Sequence, residues 1–88
     1  MSYIQANLTA RRKDLIQWLI DALNANMGST SISKVCKHIW IHHEDELRKS
    51  GNLFFTWQYD IRWTATNLRK NHVLKPARLS PRGIWELV

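Results

Sequence analysis

Trp57-Gln58-Tyr59-Asp60-Ile61-Arg62-Trp63-Thr64-Ala65-Thr66-Asn67-Leu68-Arg69-Lys70 reads as a basic amphipathic helix, and Val73 to Val88 then reads as a β-hairpin closed by Ser80-Pro81-Arg82-Gly83. The helix rests on spacing: Trp57, Ile61, Thr64 or Ala65, and Leu68 fall at i, i+4, i+7/i+8 and i+11, one side of a 3.6-residue period. With Ile61 at the centre of the buried stripe, the opposite arc holds Tyr59, Arg62, Thr66 and Lys70, flanked by Gln58 and Arg69 on one side and Trp63 on the other. In the hairpin, Pro81 presets φ for a turn position and Gly83 can supply φ > 0, while Ile84, Trp85, Leu87 and Val88 suit a strand. Arg82 falls at the tip.

Two further helices precede this unit. Residues 8 to 25 carry Leu8, Leu15, Ile16, Leu19, Ile20 and Leu23 at helical spacing, with Asn7 or Thr9 as caps and Asn26-Met27-Gly28-Ser29 as the stop. Arg11-Arg12-Lys13 then lies in the first turns, where cations oppose the helix macrodipole. A solvated face explains such a run more simply than a phosphate contact does. A second helix starts after the cap Ser31 and runs through Ile32, Val35 and Ile39 to Leu47; the successive Ile39, Trp40 and Ile41 before His42-His43 leave its middle open, as one rod or as two shorter helices with a bend near the histidines. Lys49-Ser50-Gly51-Asn52 reads as a loop, and Leu53-Phe54-Phe55 as a brief strand or an apolar anchor before the third helix begins near Thr56.

Size and composition bound the answer to one domain over residues 1–88. The 88 residues are 44% hydrophobic with five tryptophans, which excludes a disordered tail. Thirteen Lys and Arg against seven Asp and Glu give a net charge of +6, which favours a polyanionic partner. The single Cys36 excludes an internal disulfide and fits a reducing, cytoplasmic setting. No apolar run is long enough for a bilayer span and no signal peptide is visible, so a membrane partner is not expected.

The predicted fold class is therefore mainly α, a winged helix-turn-helix of about three helices plus a C-terminal β-hairpin wing. From Glu44 to Val88 the arrangement resembles the N-terminal winged-helix domain of Mrr-type restriction endonucleases and the winged-helix modules of other modification-dependent nucleases. The Gly51 loop, Ile61-Arg62-Trp63, Leu68-Arg69-Lys70, Val73-Leu74 and Ser80-Pro81-Arg82-Gly83-Ile84-Trp85-Glu86-Leu87 carry the resemblance; the first half matches only as a helical pattern. The family usually has Gly where Asn71-His72 precede Val73 here, and Asn71 is the expected left-handed cap. In such nucleases this module binds DNA while a separate domain cuts. The resemblance thus implies a DNA-recognition part, its target modified cytosine among the family's options, and it admits excision from a longer nuclease.

Other chemistry reads weakly. His38 and His42 are four apart and Cys36, His43 and Glu44 lie close by, but structural zinc needs four ligands and the paired spacing of a finger is missing. Cys36 and His38 diverge on a helix, and no third group orients them as a nucleophile and base. Glu44, Asp45 and Glu46 share one stretch without the lysine and dispersed acids of a nuclease centre, so they read as a solvated helix end. No catalytic residue, metal or cofactor is expected, and the chain is expected to lack hydrolase activity. Trp18, Trp40, Trp57 and Trp85 suit a core; Trp63 is expected to pack on the wing, with DNA contact as the alternative.

The expected function is double-stranded DNA binding. The third helix would enter the major groove with Gln58, Arg62, Thr66, Asn67, Arg69 and Lys70, and the wing would meet the backbone with Lys75, Arg78 and Arg82. Alternatives are a stand-alone winged-helix transcriptional regulator, or a winged helix used for protein contact in which Tyr59 and Trp63 dominate.

Overall fold

The computed structural model describes residues 10–88, so the candidate caps Asn7 and Thr9 lie outside the described residues. In chain order it contains α1 (Asp14–Asn24), β1 (Ser29–Ser31), α2 (Ile32–Arg48), α3 (Leu53–Lys70), a 3₁₀ turn (Ala77–Leu79) and β2 (Ile84–Glu86). This is a winged helix-turn-helix arrangement.

Helix α1 begins later than its hydrophobic pattern suggests. Ala10 is buried and its N–H donates to Glu46 O (3.3 Å), which ties the chain to the end of α2. Arg11 N–H then donates to the Asp14 carboxylate (2.8 Å), so the helix starts at Asp14. Arg11-Arg12-Lys13 accordingly precedes the helix instead of occupying its first turns. The helix ends with Met27 at φ 62°, Gly28 N–H reaching Leu23 O (2.7 Å) and Met27 N–H reaching Asn24 O (3.3 Å). These are the paired bonds of a Schellman stop.

Helix α2 follows the sequence closely. Ser31 Oγ accepts from Lys34 N–H (3.2 Å) as N-cap, and the helix kinks at His43, whose φ of −132° is non-helical. Leu53-Phe54-Phe55 is neither a strand nor a separate anchor; it is the first turn of α3. Gly51, at φ 64°, reverses the chain, and Phe54 N–H already donates to Gly51 O (3.1 Å), so helical bonding starts at once. Arg48 secures this turn: it bonds Glu44 (2.8 Å) and lies over the rings of Trp40 (5.2 Å) and Phe54 (5.8 Å).

The core gathers one stripe from each helix: Leu15, Leu19 and Leu23 of α1, Val35, Ile39 and Leu47 of α2, and Trp57, Ile61, Ala65 and Leu68 of α3. Leu74 and Trp85 of the wing close it. The stripe Trp57, Ile61, Thr64, Ala65 and Leu68 is buried as its spacing predicts. Helix α3 ends in a second Schellman stop, with Val73 N–H on Leu68 O (2.9 Å) and His72 N–H on Arg69 O (3.1 Å). The left-handed residue is His72, at φ 63°, and not Asn71, whose φ is −91°. The helix ends at Lys70 as expected, but Asn71 keeps a near-helical backbone as its C-cap, so the reversal falls one residue later.

The wing differs from a plain hairpin in its partner. Its first arm is reduced to the bridge Leu74↔Leu87, reinforced by Lys75 N–H on Glu86 O (2.8 Å) and Val88 N–H on Val73 O (3.1 Å). Strand β2 pairs along its other edge with β1, antiparallel, in the register Ser29↔Glu86, Thr30↔Trp85 and Ser31↔Ile84. Because two-stranded ribbons are marginal alone, the second pairing gives the return strand a neighbour on each side. Gly83, at φ 77°, supplies the left-handed turn position expected of it, and its carbonyl accepts from Ile32 N–H (3.0 Å). That bond fixes the wing to the start of α2.

Candidate nucleic-acid interface

The expected contact residues of α3 divide between its two flanks. Gln58 and Arg62 face a cleft of about 620 Å³ shared with Ser33, Cys36, Lys37 and Trp40 of α2. Arg62 is exposed and makes no ion pair among the described residues, so its guanidinium is open to a partner. One turn on, Thr66 is also exposed, its hydroxyl donating to Arg62 O (3.1 Å) with its acceptor lone pairs unused by that bond. Lys70 is exposed in the last turn. Asn67 stands on the other flank, beside Trp63 and the start of α1.

Arg69 has a structural engagement. It is half-buried, and its Nε donates to Lys75 O (3.2 Å), which links the last turn of α3 to the base of the wing. Lys75 is half-buried, whereas Arg78 in the 3₁₀ turn and Arg82 before Gly83 are exposed. Three side chains of α2 join the expected set: Ser33 and Lys37 in the cleft, and the exposed Lys34 beside the capped helix start. Their place in the first two turns after the Ser31 cap was legible in the sequence, whereas their position opposite Gln58 and Arg62 is set by the packing of α2 on α3.

Trp63 does not pack on the wing. It is 55% exposed and meets Tyr59 edge to face at 6.4 Å, facing Arg12, Lys13 and Ile16. Asp60, left unassigned by the spacing argument, is 5% exposed: Thr56 Oγ1 donates to its Oδ2 (2.8 Å), and Arg12 stands 3.6 Å from its Oδ1. Thr56 four residues before Asp60 was its one sequence signal.

Among the described residues no three His, Cys, Asp or Glu side chains come together as a metal site. His43 stacks on Trp18 (3.8 Å) and its Nδ1 bonds Glu46 (2.8 Å), which gives these groups a packing role at the kink. Burial pushes the Cys36 thiol above its ordinary pKa against the opposing pull of Arg62, so it remains a protonated thiol at neutrality. Burial, followed by the neighbouring His42 and His43, pushes His38 below the ordinary histidine value despite the opposing Asp21. Its Nδ1 is buried without a hydrogen-bond partner among the described residues.

The folded state thus binds the His38 proton less tightly than the unfolded chain does. Its contribution is present above the ordinary value of 6.5 and is lost as pH falls through the lower folded value. Thermal melts across that window should show stability declining with acid, and His38→Gln should flatten the decline. An unchanged slope in the variant would assign the effect elsewhere.

In comparisons with protein-family models, curated proteins and solved structures, none matches the chain. The likeness to Mrr-type nucleases thus rests on the quoted motifs alone, while the winged-helix architecture stands on the structure. No helix of the described residues is long and apolar enough to cross a membrane.

Proposed function

We propose that this chain is a double-stranded DNA-binding module, with α3 in the major groove and the wing on the phosphate backbone. The observation that carries the reading is the exposed guanidinium of Arg62 on the flank of α3 that also presents Gln58, across a cleft from Lys37 and Ser33. Arginine and glutamine form bidentate pairs with guanine and adenine edges, and lysine and serine at the neighbouring helix suit phosphates. A net charge of +6 supports a polyanionic partner. On this reading the chain binds and does not catalyse.

Within that reading, the motifs from Glu44 to Val88 favour the recognition part of a restriction-type nuclease, modified cytosine included among its targets, over a stand-alone transcriptional regulator. The lone Cys36 suits a cytoplasmic setting. Retention of duplexes from a random pool, with cytosine modified and unmodified, tests specific readout; no enrichment over a shuffled pool defeats it.

Arg82 gives a second test. Arg82→Ala should weaken binding to all duplexes by similar factors and reduce the salt slope by about one unit, because an exposed cation at the wing tip neutralises phosphate without reading sequence. Loss of discrimination at one base position would instead make it a base-reading residue. A protein-binding surface centred on Tyr59 and Trp63 would show little salt dependence.

A further inference from the structure

We propose that the cleft between the start of α1 and α3 binds a nucleotide, with a guanine-type base edge against Asp60 and its phosphate near Arg12 and Lys13. The cleft measures about 700 Å³ and is lined by Arg12, Lys13, Tyr59, Asp60, Trp63 and Asn67, among others. Small-molecule sites typically enclose about 300–1,000 Å³. This cleft lies on the flank of α3 away from Gln58 and Arg62, so the inference does not rest on the DNA-binding reading.

Asp60 carries the argument. Its carboxylate is almost wholly covered, yet one oxygen keeps its acceptor capacity open to whatever enters the cleft. Thr56 serves Oδ2, but the 3.6 Å approach of Arg12 to Oδ1 is longer than a hydrogen bond, and Arg12 itself is largely exposed. A ligand presenting adjacent N–H donors would take the place of solvent at Oδ1 and share Oδ2 with Thr56. Guanine has two such donors side by side on its pairing edge, whereas the corresponding edges of adenine, cytosine and thymine each carry a single donor position.

The surroundings fit the remainder of a nucleotide. Tyr59 and Trp63 stand exposed with ring centroids 6.4 Å apart and planes at 69°, offering aromatic faces on which a base can stack. Asn67 adds a side-chain donor and acceptor. Two cations against one carboxylate leave the site with net positive charge, which disfavours a cationic ligand and suits one with a donor edge and an anionic tail.

The test is backbone and indole NMR of the full chain titrated with GMP, with AMP, and with a guanine-containing single-stranded oligonucleotide. Saturable shifts at Tyr59, Asp60, Trp63 and Asn67 with GMP, and weaker binding of AMP, are expected. Trp63→Ala should weaken GMP binding by about fivefold to a hundredfold. Asp60→Asn should erase the preference for GMP over AMP; because that variant touches a buried group, Asn67→Ala at an exposed position is the second, expected to weaken binding with an unchanged melt. Tighter binding of GMP than of the oligonucleotide identifies a free nucleotide as the source, and the reverse identifies a strand, either supporting the site. Absence of saturable shifts in the cleft at millimolar GMP, or equal binding of GMP and AMP, overturns it.

Discussion

Trp57→Ala should lower the stability of the fold by about 3–5 kcal/mol, the cost of deleting a large buried aromatic. Trp57 is 4% exposed, belongs to the core stripe of α3 and stacks on Trp40 with ring centroids 6.3 Å apart. A small domain has only about 5–15 kcal/mol in total, so the variant should melt at least about 12 °C lower or fail to fold at ordinary temperatures. Trp63→Ala is the matched control. That side chain is 55% exposed and should cost little, since surface substitutions usually stay within about 0.5 kcal/mol. Urea unfolding of both variants tests the orientation of α3: equal losses would mean that the core side of the helix is wrongly assigned.

Arg62→Ala should cost about 1–3 kcal/mol of binding on the preferred duplex and much less on unrelated duplex, so the specificity ratio falls with affinity. The side chain is exposed and makes no ion pair among the described residues, so the thermal melt should be unchanged. Arg69→Ala provides the contrast. Its bond to Lys75 O links α3 to the wing, and removing it should disturb wing placement and thereby binding to every duplex. Affinities of the two variants on matched and unrelated duplexes separate these roles; an equal loss on both from Arg62→Ala reduces that residue to a backbone contact.

Much of the helical framework was legible because it depends on local periodicity and local capping. The Trp57, Ile61, Ala65 and Leu68 stripe needs only a 3.6-residue repeat, and all four residues are buried. Ser31 caps α2 by accepting from the amide of Lys34, three residues on, while of the two readings open for the middle of α2, one rod or a bend near the histidines, the structure takes the bend, at His43. Gly83 adopts positive φ because the turn after Pro81 requires it. The basic, exposed character of Arg62, Lys70, Arg78 and Arg82 followed from the same wheel and turn arguments.

Tertiary contacts decided what local pattern could not. Among the described residues, local pattern specified three helices, the buried face of α3 and the position of the wing turn, while Ile16, on the apolar stripe of α1, is left 45% exposed beside the α3 cleft. Nothing local signalled that Ser29–Ser31 would pair with Ile84–Glu86, because a three-residue strand of Ser-Thr-Ser has no hydrophobic alternation and its partner lies more than fifty residues away. The start of α1 was moved by a bond from Ala10 to the far end of α2, and Arg69 was drawn to the wing by a carbonyl. Asp60 shows the reason most directly. On a wheel it is one acid beside an apolar stripe, but packing α1 against α3 withdraws it from water, brings Arg12 alongside and forms a cleft around it. Spacing specifies which way a side chain leaves its own helix, whereas its solvent, its partners and the cavity it faces are set by the element that arrives opposite.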